Sequence, residues 1–264
     1  MDSITRKSML YKTGVEYGDY SMNHVLGCAH GCKYPCYAFN MMKRFGKVDS
    51  YEQWCKPKIV SNTLELLDKE IPKLKGKINR VHLCFSTDPF MYGYDEIAKM
   101  SIAAIQKLNI AGIKCTALTK GIVPFFVPFG SYPYNRNEYG ITLVSLDEKF
   151  REKYEPNSAP IAERLKALED LSRKRHCKTW VSIEPYPTPN IFEQELDEIL
   201  DAVRFTDKII FGKWNYNKEI SKYGNYKNDG YKGFYETCAA MVENFCRQTN
   251  IEYIIKKGTA KEVT

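Results

Sequence analysis

A chain of 264 residues with 44% hydrophobic content is long enough for one large α/β domain or two small ones, so no disulfide or metal staple is needed to explain its folding. The N-terminus MDSITRKSML has no apolar stretch of signal-peptide length and no window reaches the 18 apolar residues of a membrane span, so a cytoplasmic protein with no membrane partner is expected. A formal charge of +7 permits an anionic partner, but the basic residues fall in short runs such as Lys73-Lys75-Lys77-Arg80 and Arg173-Lys174-Arg175, the ordinary look of a solvated face.

In chain order, residues 1–22 read as an N-terminal segment and 23–264 as a single domain. Strands are expected at Asn23–Leu26, Arg80–Phe85, Lys114–Leu118, Tyr139–Ser145, Thr179–Ile183 and Lys208–Phe211, each a short β-branched or aromatic run. Between and after them helices are expected at Ala38–Lys43, Asn62–Leu74, Glu96–Leu108, near Ile122–Phe126, and at Pro160–Ser172, Glu193–Val203 and Phe234–Arg247. Pro160 suits a first helical turn, and Ile161, Leu165, Leu168 and Ser172 make one stripe. Strands alternating with helices imply parallel pairing and an incomplete (β/α)6 barrel. VPFGSYPYNRNE and NYNKEISKYGNYKNDGYKG read as loops.

The chemistry concentrates in GCAHGCKYPCYA, residues 27–38. Nine cysteines in a reducing compartment argue against a disulfide framework, and only Cys28, Cys32 and Cys36 are clustered. A helix carrying them as inert core residues would pass through Gly27, Gly31 and Pro35, at about 1 kcal/mol per glycine and about 3 kcal/mol for the proline. A loop of three thiols can bind zinc, with His30 or Cys55 as a fourth ligand. It can equally hold a 4Fe-4S cluster, where three thiolates leave one iron open for a reactive ligand such as S-adenosylmethionine.

The order of segments resembles the radical S-adenosylmethionine superfamily, in particular the branch similar to spore photoproduct lyase, whose cysteine loop reads GC-x-HGC-x-YCYA. STDPF at 86–90, LTKG at 118–121 and VSLDEKFREKYEPNSAPIAERLKAL at 144–168 match that branch in kind and order. Pro35 is a departure, making the spacing C-x3-C-x3-C instead of C-x3-C-x2-C; one residue adds at most about 3.8 Å of reach. The resemblance implies a 4Fe-4S cluster on Cys28, Cys32 and Cys36, with S-adenosylmethionine held by Tyr37, Ser86, Thr87, Asp88, Lys120, Ser145 and Arg164. It also implies an electron donor such as flavodoxin or ferredoxin; almost nothing precedes the cysteine loop, so any N-terminal extension of that branch is expected to be missing.

Two further residues are candidates for catalysis. Alignment through Ser86-Thr87-Asp88 places Phe85, not Cys84, at the branch's cysteine hydrogen donor, and in a strand one residue changes face, so Cys84 is weighed between donor and core. Glu184, in SIEPYP, ends the fifth strand, and a carboxylate there is rarely buried without a partner. Lys213 and Trp214 end the sixth. The expected activity is lyase or other radical-transforming chemistry on an unidentified substrate, with nucleic acid compatible; the alternative is a non-catalytic zinc or iron-sulfur nucleic-acid-binding protein.

Overall fold

The computed structural model describes residues 1–15, 17–74, 76–128, 130–131, 135–175, 177–224 and 230–260. The chain runs through β1 (Ser3–Ile4), β2 (Leu10–Lys12), β3 (Tyr20–Met22), β4 (Val25–Leu26), α1 (Tyr37–Arg44), α2 (Tyr51–Trp54), β5 (Lys58–Val60), α3 (Thr63–Leu74), β6 (Arg80–Leu83), α4 (Asp95–Ile110) and β7 (Lys114–Thr119). It continues with β8 (Gly130–Ser131), β9 (Asn135–Arg136), β10 (Glu138–Thr142), α5 (Glu148–Tyr154), α6 (Ile161–Arg175), β11 (Lys178–Tyr186), α7 (Leu196–Ala202), β12 (Lys208–Lys213), a 3-10 turn at Lys218–Lys222, α8 (Gly230–Thr249) and β13 (Glu252–Ile255).

The fold is mixed α/β around an eight-stranded sheet in the order β13-β12-β11-β10-β7-β6-β3-β2. From β3 to β13 every pairing is parallel, and β2 adds an antiparallel edge on β3. Parallel neighbours need crossovers. Helices α4, α6, α7 and α8 supply them for β6 to β7 and for β10 through β13. The β7 to β10 link carries the β8/β9 hairpin instead, and the β3 to β6 link carries α1, α2, α3 and the strands β4 and β5, which form a small sheet with β1 in the order β1-β5-β4.

The helices form where the sequence offers an apolar stripe and a cap. On α6, Ile161, Arg164, Leu168 and Leu171 are the buried positions, at helical spacing. The Asp147 side chain accepts from the Lys149 amide to start α5, and Ser50 does the same for α2 from Gln53. The sheet curls strongly: Tyr17, just before β3, and Lys256, just after β13, come from opposite ends of the strand order, yet Lys256 Nζ lies 3.4 Å from the Tyr17 hydroxyl. No pairing joins β2 to β13 among the described residues, so the arrangement is barrel-like and open.

Several expectations need correction. The first parallel strand is Tyr20–Met22, not Asn23–Leu26; of the latter only Val25–Leu26 is extended, and it pairs with β5 outside the main sheet. Strands β2 and β3, both before residue 23, belong to the main sheet. Ile122–Phe126 is turn and coil around Pro124, whose ring removes a backbone donor. Helices α2 and α5 and strand β13 were not expected. Lys75 and parts of both tyrosine-rich loops lie outside the described residues.

Candidate functional site

The cysteine loop runs from β4 to α1 without helix until Cys36, which is the N-cap of α1. Gly27 and Gly31 sit at φ 91° and 62°, where only glycine is unstrained, and a Cβ on Gly27 would stand 2.6 Å from the Trp54 carbonyl oxygen. Both ends of the loop are clamped. The Cys28 amide donates to the Trp54 carbonyl at 2.9 Å, the Lys33 amide to that of Tyr154 at 2.8 Å, and Asn157 Nδ2 to that of Ala29 at 3.0 Å.

Cys28, Cys32 and Cys36 line one cleft of about 430 Å³, together with Tyr37, Cys84, Ser86, Thr87, Asp88, Lys120 and Glu184. Burial raises the pKa of Cys28 and pushes that of Cys32 up to about 12; neighbouring thiolates push both the same way. Such mutually repelling thiols are a donor set that a thiophilic cation or cluster would relieve, so the residues fit a thiolate-bound metal. They share the cleft wall without converging: among the described residues no three His, Cys, Asp or Glu side chains form a ready-made metal shell. Cys55, just after α2, packs in the same apolar cluster as Cys28 and Cys36.

The wall opposite the loop is made by the residues following β6 and β7. Asp88 is fully engaged by protein. Its Oδ1 accepts from the Phe90 amide at 2.8 Å and the Thr119 hydroxyl at 2.6 Å, and its Oδ2 from the Lys120 amide at 2.8 Å, with His30 Nδ1 at 3.5 Å. Four donors use the acceptor positions of one carboxylate, tying the cysteine loop to the ends of both strands. Ser86 is held through its amide on Asn23 at 3.3 Å, and the Thr87 hydroxyl donates to the Val25 carbonyl at 3.5 Å. Tyr37 lines the cleft, is partly exposed to solvent and donates its hydroxyl to the Phe85 carbonyl.

Cys84 has φ 54°, so the alternation of β6 ends at Leu83, and Cys84 and Phe85 both line the cleft. The face argument made from the sequence does not extend past Leu83. Cys84 also packs on Val25, Met91 and Ile97, and its Sγ lies 3.5 Å from His24 Nδ1.

Behind the wall lies a buried ionic network. Glu155 accepts from the Tyr34 hydroxyl at 2.7 Å and from Arg164 at 3.1 Å, with Lys120 Nζ at 3.9 Å. Burial works against the Glu155 charge, but Lys120 and Arg164 outweigh it and hold its pKa below the usual value. Burial also opposes the charge of Lys120, but Glu155 together with Cys32 and Cys28 outweighs it, raising its pKa. Arg164 and Ser145 do not line the cleft. Arg164 is 2% exposed and spends a donor on the Thr142 carbonyl, and Ser145 accepts from the Asp147 amide at 3.1 Å. Thr142 and Ser182 take the corresponding places on the cleft surface.

Apart from Glu184, the floor of the cleft was not legible as a site in the sequence. It comprises His82 on β6, Tyr17, Glu184 on β11, and Lys256. Lys256 Nζ stands 3.7 Å from Glu184 Oε2 and 5.1 Å from the centre of the Tyr17 ring. Gly212 makes room for Glu184; a Cβ there would meet its Cδ at 2.8 Å. The available signal was His82 itself, a polar residue between Val81 and Leu83 in an apolar strand. Trp214 lines the cleft as well, whereas Lys213 does not.

No family model matches the sequence. The chain is 24% identical over 200 residues to the uncharacterized protein ORF301 of Acidianus two-tailed virus, a match covering 72% of this chain and 64% of that protein, so it spans less than two thirds of its relative. In fold it is similar to SuiB of Streptococcus suis, with a TM-score of 0.47 and 14% identity over 72% of this chain and 42% of SuiB. Against SuiB bound to S-adenosylmethionine the TM-score is 0.46, with 12% identity over 83% of this chain and 60% of that one.

Proposed function

We propose that the protein is a radical S-adenosylmethionine enzyme acting on an unidentified substrate, with nucleic acid compatible. The observation that carries the reading is that the three-thiol loop faces the residues after β6 and β7 across one cleft, beside the C-terminal ends of parallel strands. That is where α/β sheets place their chemistry.

In this reading Cys28, Cys32 and Cys36 hold a 4Fe-4S cluster, and Tyr37, Ser86, Thr87 and Lys120 hold S-adenosylmethionine. When bound, the pair supplies reductive cleavage to methionine and a 5′-deoxyadenosyl radical that takes a hydrogen atom from substrate, with the electron coming from a flavodoxin or ferredoxin. Asp88, its carboxylate taken up by protein donors, is a positioning residue. Arg164 and Ser145 act from behind the wall: Arg164 fixes Glu155, which in turn orients Lys120 and Tyr34. Cys84 and Glu184 face the substrate space.

The test is 5′-deoxyadenosine release by anaerobically reconstituted protein given S-adenosylmethionine and a strong reductant, read by mass spectrometry. Cleavage that depends on Cys28 is the expected result. Full cleavage by Cys28→Ala would sink the ligand assignment.

One observation favours a second reading. Cys55 beside Cys28 and Cys36 offers a fourth thiol, the donor set of structural zinc, as in a non-catalytic nucleic-acid-binding protein. Metal analysis separates the two: iron with labile sulfide supports the enzyme, one zinc per chain supports the binding protein.

A further inference from the structure

Helix α1 begins on one of the three thiols and ends on a basic turn. Cys36 is its N-cap, Lys43 and Arg44 lie in its last turn, and Phe45 is its C-cap. At 1.5 Å per residue its 8 residues span about 12 Å, so the basic end is one short helix away from Cys36. The turn is fixed by its backbone. The Phe45, Gly46 and Lys47 amides donate to the carbonyls of Met41, Lys43 and Met42 at 3.1, 3.0 and 2.9 Å.

The side chains of this turn differ from the rest of the helical surface. Lys43, Arg44 and Lys47 are exposed and have no ion-pair partner among the described residues, and Phe45 stands among them 66% exposed. Elsewhere exposed helical cations are paired: Lys69 with Glu65, Lys166 with Asp170, Arg173 with Glu169 and Arg247 with Glu243. No Asp or Glu occurs from residue 20 to 48; the next are Asp49 and Glu52, and Lys56 takes Glu52 at 2.6 Å. A helix C-terminus favours cations, which accounts for Lys43 and Arg44. It accounts neither for Lys47, beyond the helix, nor for an aromatic ring left in water.

The position of the turn says what it serves. Val48, just after it, is buried with Ala38 and Trp54, and Met42, Phe39, Cys36 and Cys28 pack on that cluster, so one apolar layer joins the turn to two thiols. Tyr37 and Ala38 line the cleft, whereas Lys43, Arg44, Phe45 and Lys47 do not. A partner seated on the turn therefore comes close to the thiols without entering the cleft. Electron delivery needs that arrangement, because it depends on proximity and leaves the cleft to the reactants. Unpaired cations around an exposed ring complement carboxylates around an apolar centre. A flavin protein whose dimethylbenzene edge lies among acidic side chains has that chemistry.

We propose that Lys43, Arg44, Phe45 and Lys47 form the docking surface for a small acidic flavin protein. There the reduced flavin gives up one electron and the iron-sulfur cluster on the three thiols is reduced by one. The partner's role as electron donor rests on the radical reading; the docking rests on the charges and Phe45 alone.

The test is fluorescence anisotropy of a labelled bacterial flavodoxin titrated with the reconstituted full-length protein. Binding should weaken with added salt. Lys43→Glu combined with Lys47→Glu should weaken it at least about tenfold, and Phe45→Ser about tenfold, with circular dichroism unchanged because these side chains are exposed. Lys166→Glu, on α6, should leave it unchanged, and cytochrome c, a basic one-electron protein, should not bind. Flavodoxin binding that is indifferent to the charge reversals overturns the surface, and tighter binding of an acidic ferredoxin overturns the flavin assignment. Displacement of flavodoxin by a single-stranded oligonucleotide whose own binding falls equally in the variants assigns the patch to nucleic acid and overturns the proposal. If flavodoxin binds but does not support S-adenosylmethionine cleavage that dithionite supports, the donor role is overturned and the radical reading stands. If dithionite supports no cleavage while flavodoxin binds as expected, the radical reading loses ground and the docking surface stands.

Discussion

His24 Nε2 lies 2.7 Å from Ser101 Oγ, joining the turn after β3 to the middle of α4. Ser101 gives its own proton to the Pro89 carbonyl at 2.6 Å, so His24 donates from Nε2 and turns a bare Nδ1 towards the Cys84 thiol. The relay holds the loop after β6 against the helix that follows it. Ser101→Ala strips the partner from both His24 and the Pro89 carbonyl in a fully buried place, and should cost about 1–3 kcal/mol in urea unfolding. A loss below a few tenths would mean the relay has no part in holding that loop.

The histidines make stability pH-dependent. Burial lowers His24 and His82 to about 3 from the ordinary 6.5. The unfolded chain takes up their protons first, so the stability they confer is complete above pH 6.5 and declines as pH falls from there towards 3. Each contributes a slope of at most about 1.4 kcal/mol per pH unit. Between pH 6.5 and 5 the buried Glu155 and Glu138 stay ionised, their pKa values being held below 4.5. In that window the unfolding free energy should fall with pH and fall less steeply in His24→Gln; identical slopes would reject the assignment.

Asp88→Asn replaces two acceptor oxygens by one and sets an amide N–H₂ against amide donors. With four protein donors converging on that carboxylate, we expect a loss of about 2–4 kcal/mol, read from the denaturant midpoint. Asp88→Asn as stable as the parent would mean that these contacts are not formed in solution.

Two glycines in the barrel interior should respond differently to a methyl group. A Cβ at Gly140 would lie 2.5 Å from the ring of Trp180, which is fully buried, so Gly140→Ala should cost about 3 kcal/mol or more, or fail to fold. At Gly212 the obstacle is the end of the Glu184 side chain, which can swing away. Gly212→Ala should therefore cost under about 1.5 kcal/mol while moving Glu184 away from Lys256. Equal losses at the two sites would contradict these packing assignments.

Cys55 decides between metals. If zinc is bound by four thiols, Cys55→Ala should lower metal content as much as Cys28→Ala; if a three-thiol iron-sulfur cluster is bound, iron content should be unchanged in Cys55→Ala.

Much of the sheet was legible because its strands are short apolar runs between turns. The starts at Arg80, Lys114 and Lys208 agree with the structure to the residue. The first strand was displaced because Tyr20-Ser21-Met22 is no more strand-like than Asn23-His24-Val25, and only pairing with β6 chooses between them. β13 escaped notice because four residues after a long helix carry little periodicity. In the site, the residues around the cysteine loop could be collected because they lie in consecutive motifs. The floor could not, because Tyr17, His82 and Lys256 meet only through the curl of the sheet, and Arg164 and Ser145 sit behind the wall for the same reason: which side of a strand end faces the cleft is a tertiary fact.

The contact between Tyr17 and Lys256 spans 239 residues of chain. During synthesis on a ribosome the cysteine loop and the strands beside it emerge early, while the floor of the cleft cannot close until residue 256 has left the exit tunnel. A nascent or prematurely terminated chain would thus expose three thiols on an unfinished site, and contacts of such long sequence separation are also the slow ones to form. In the radical reading, cluster loading is therefore better timed after residue 256 has emerged than before it.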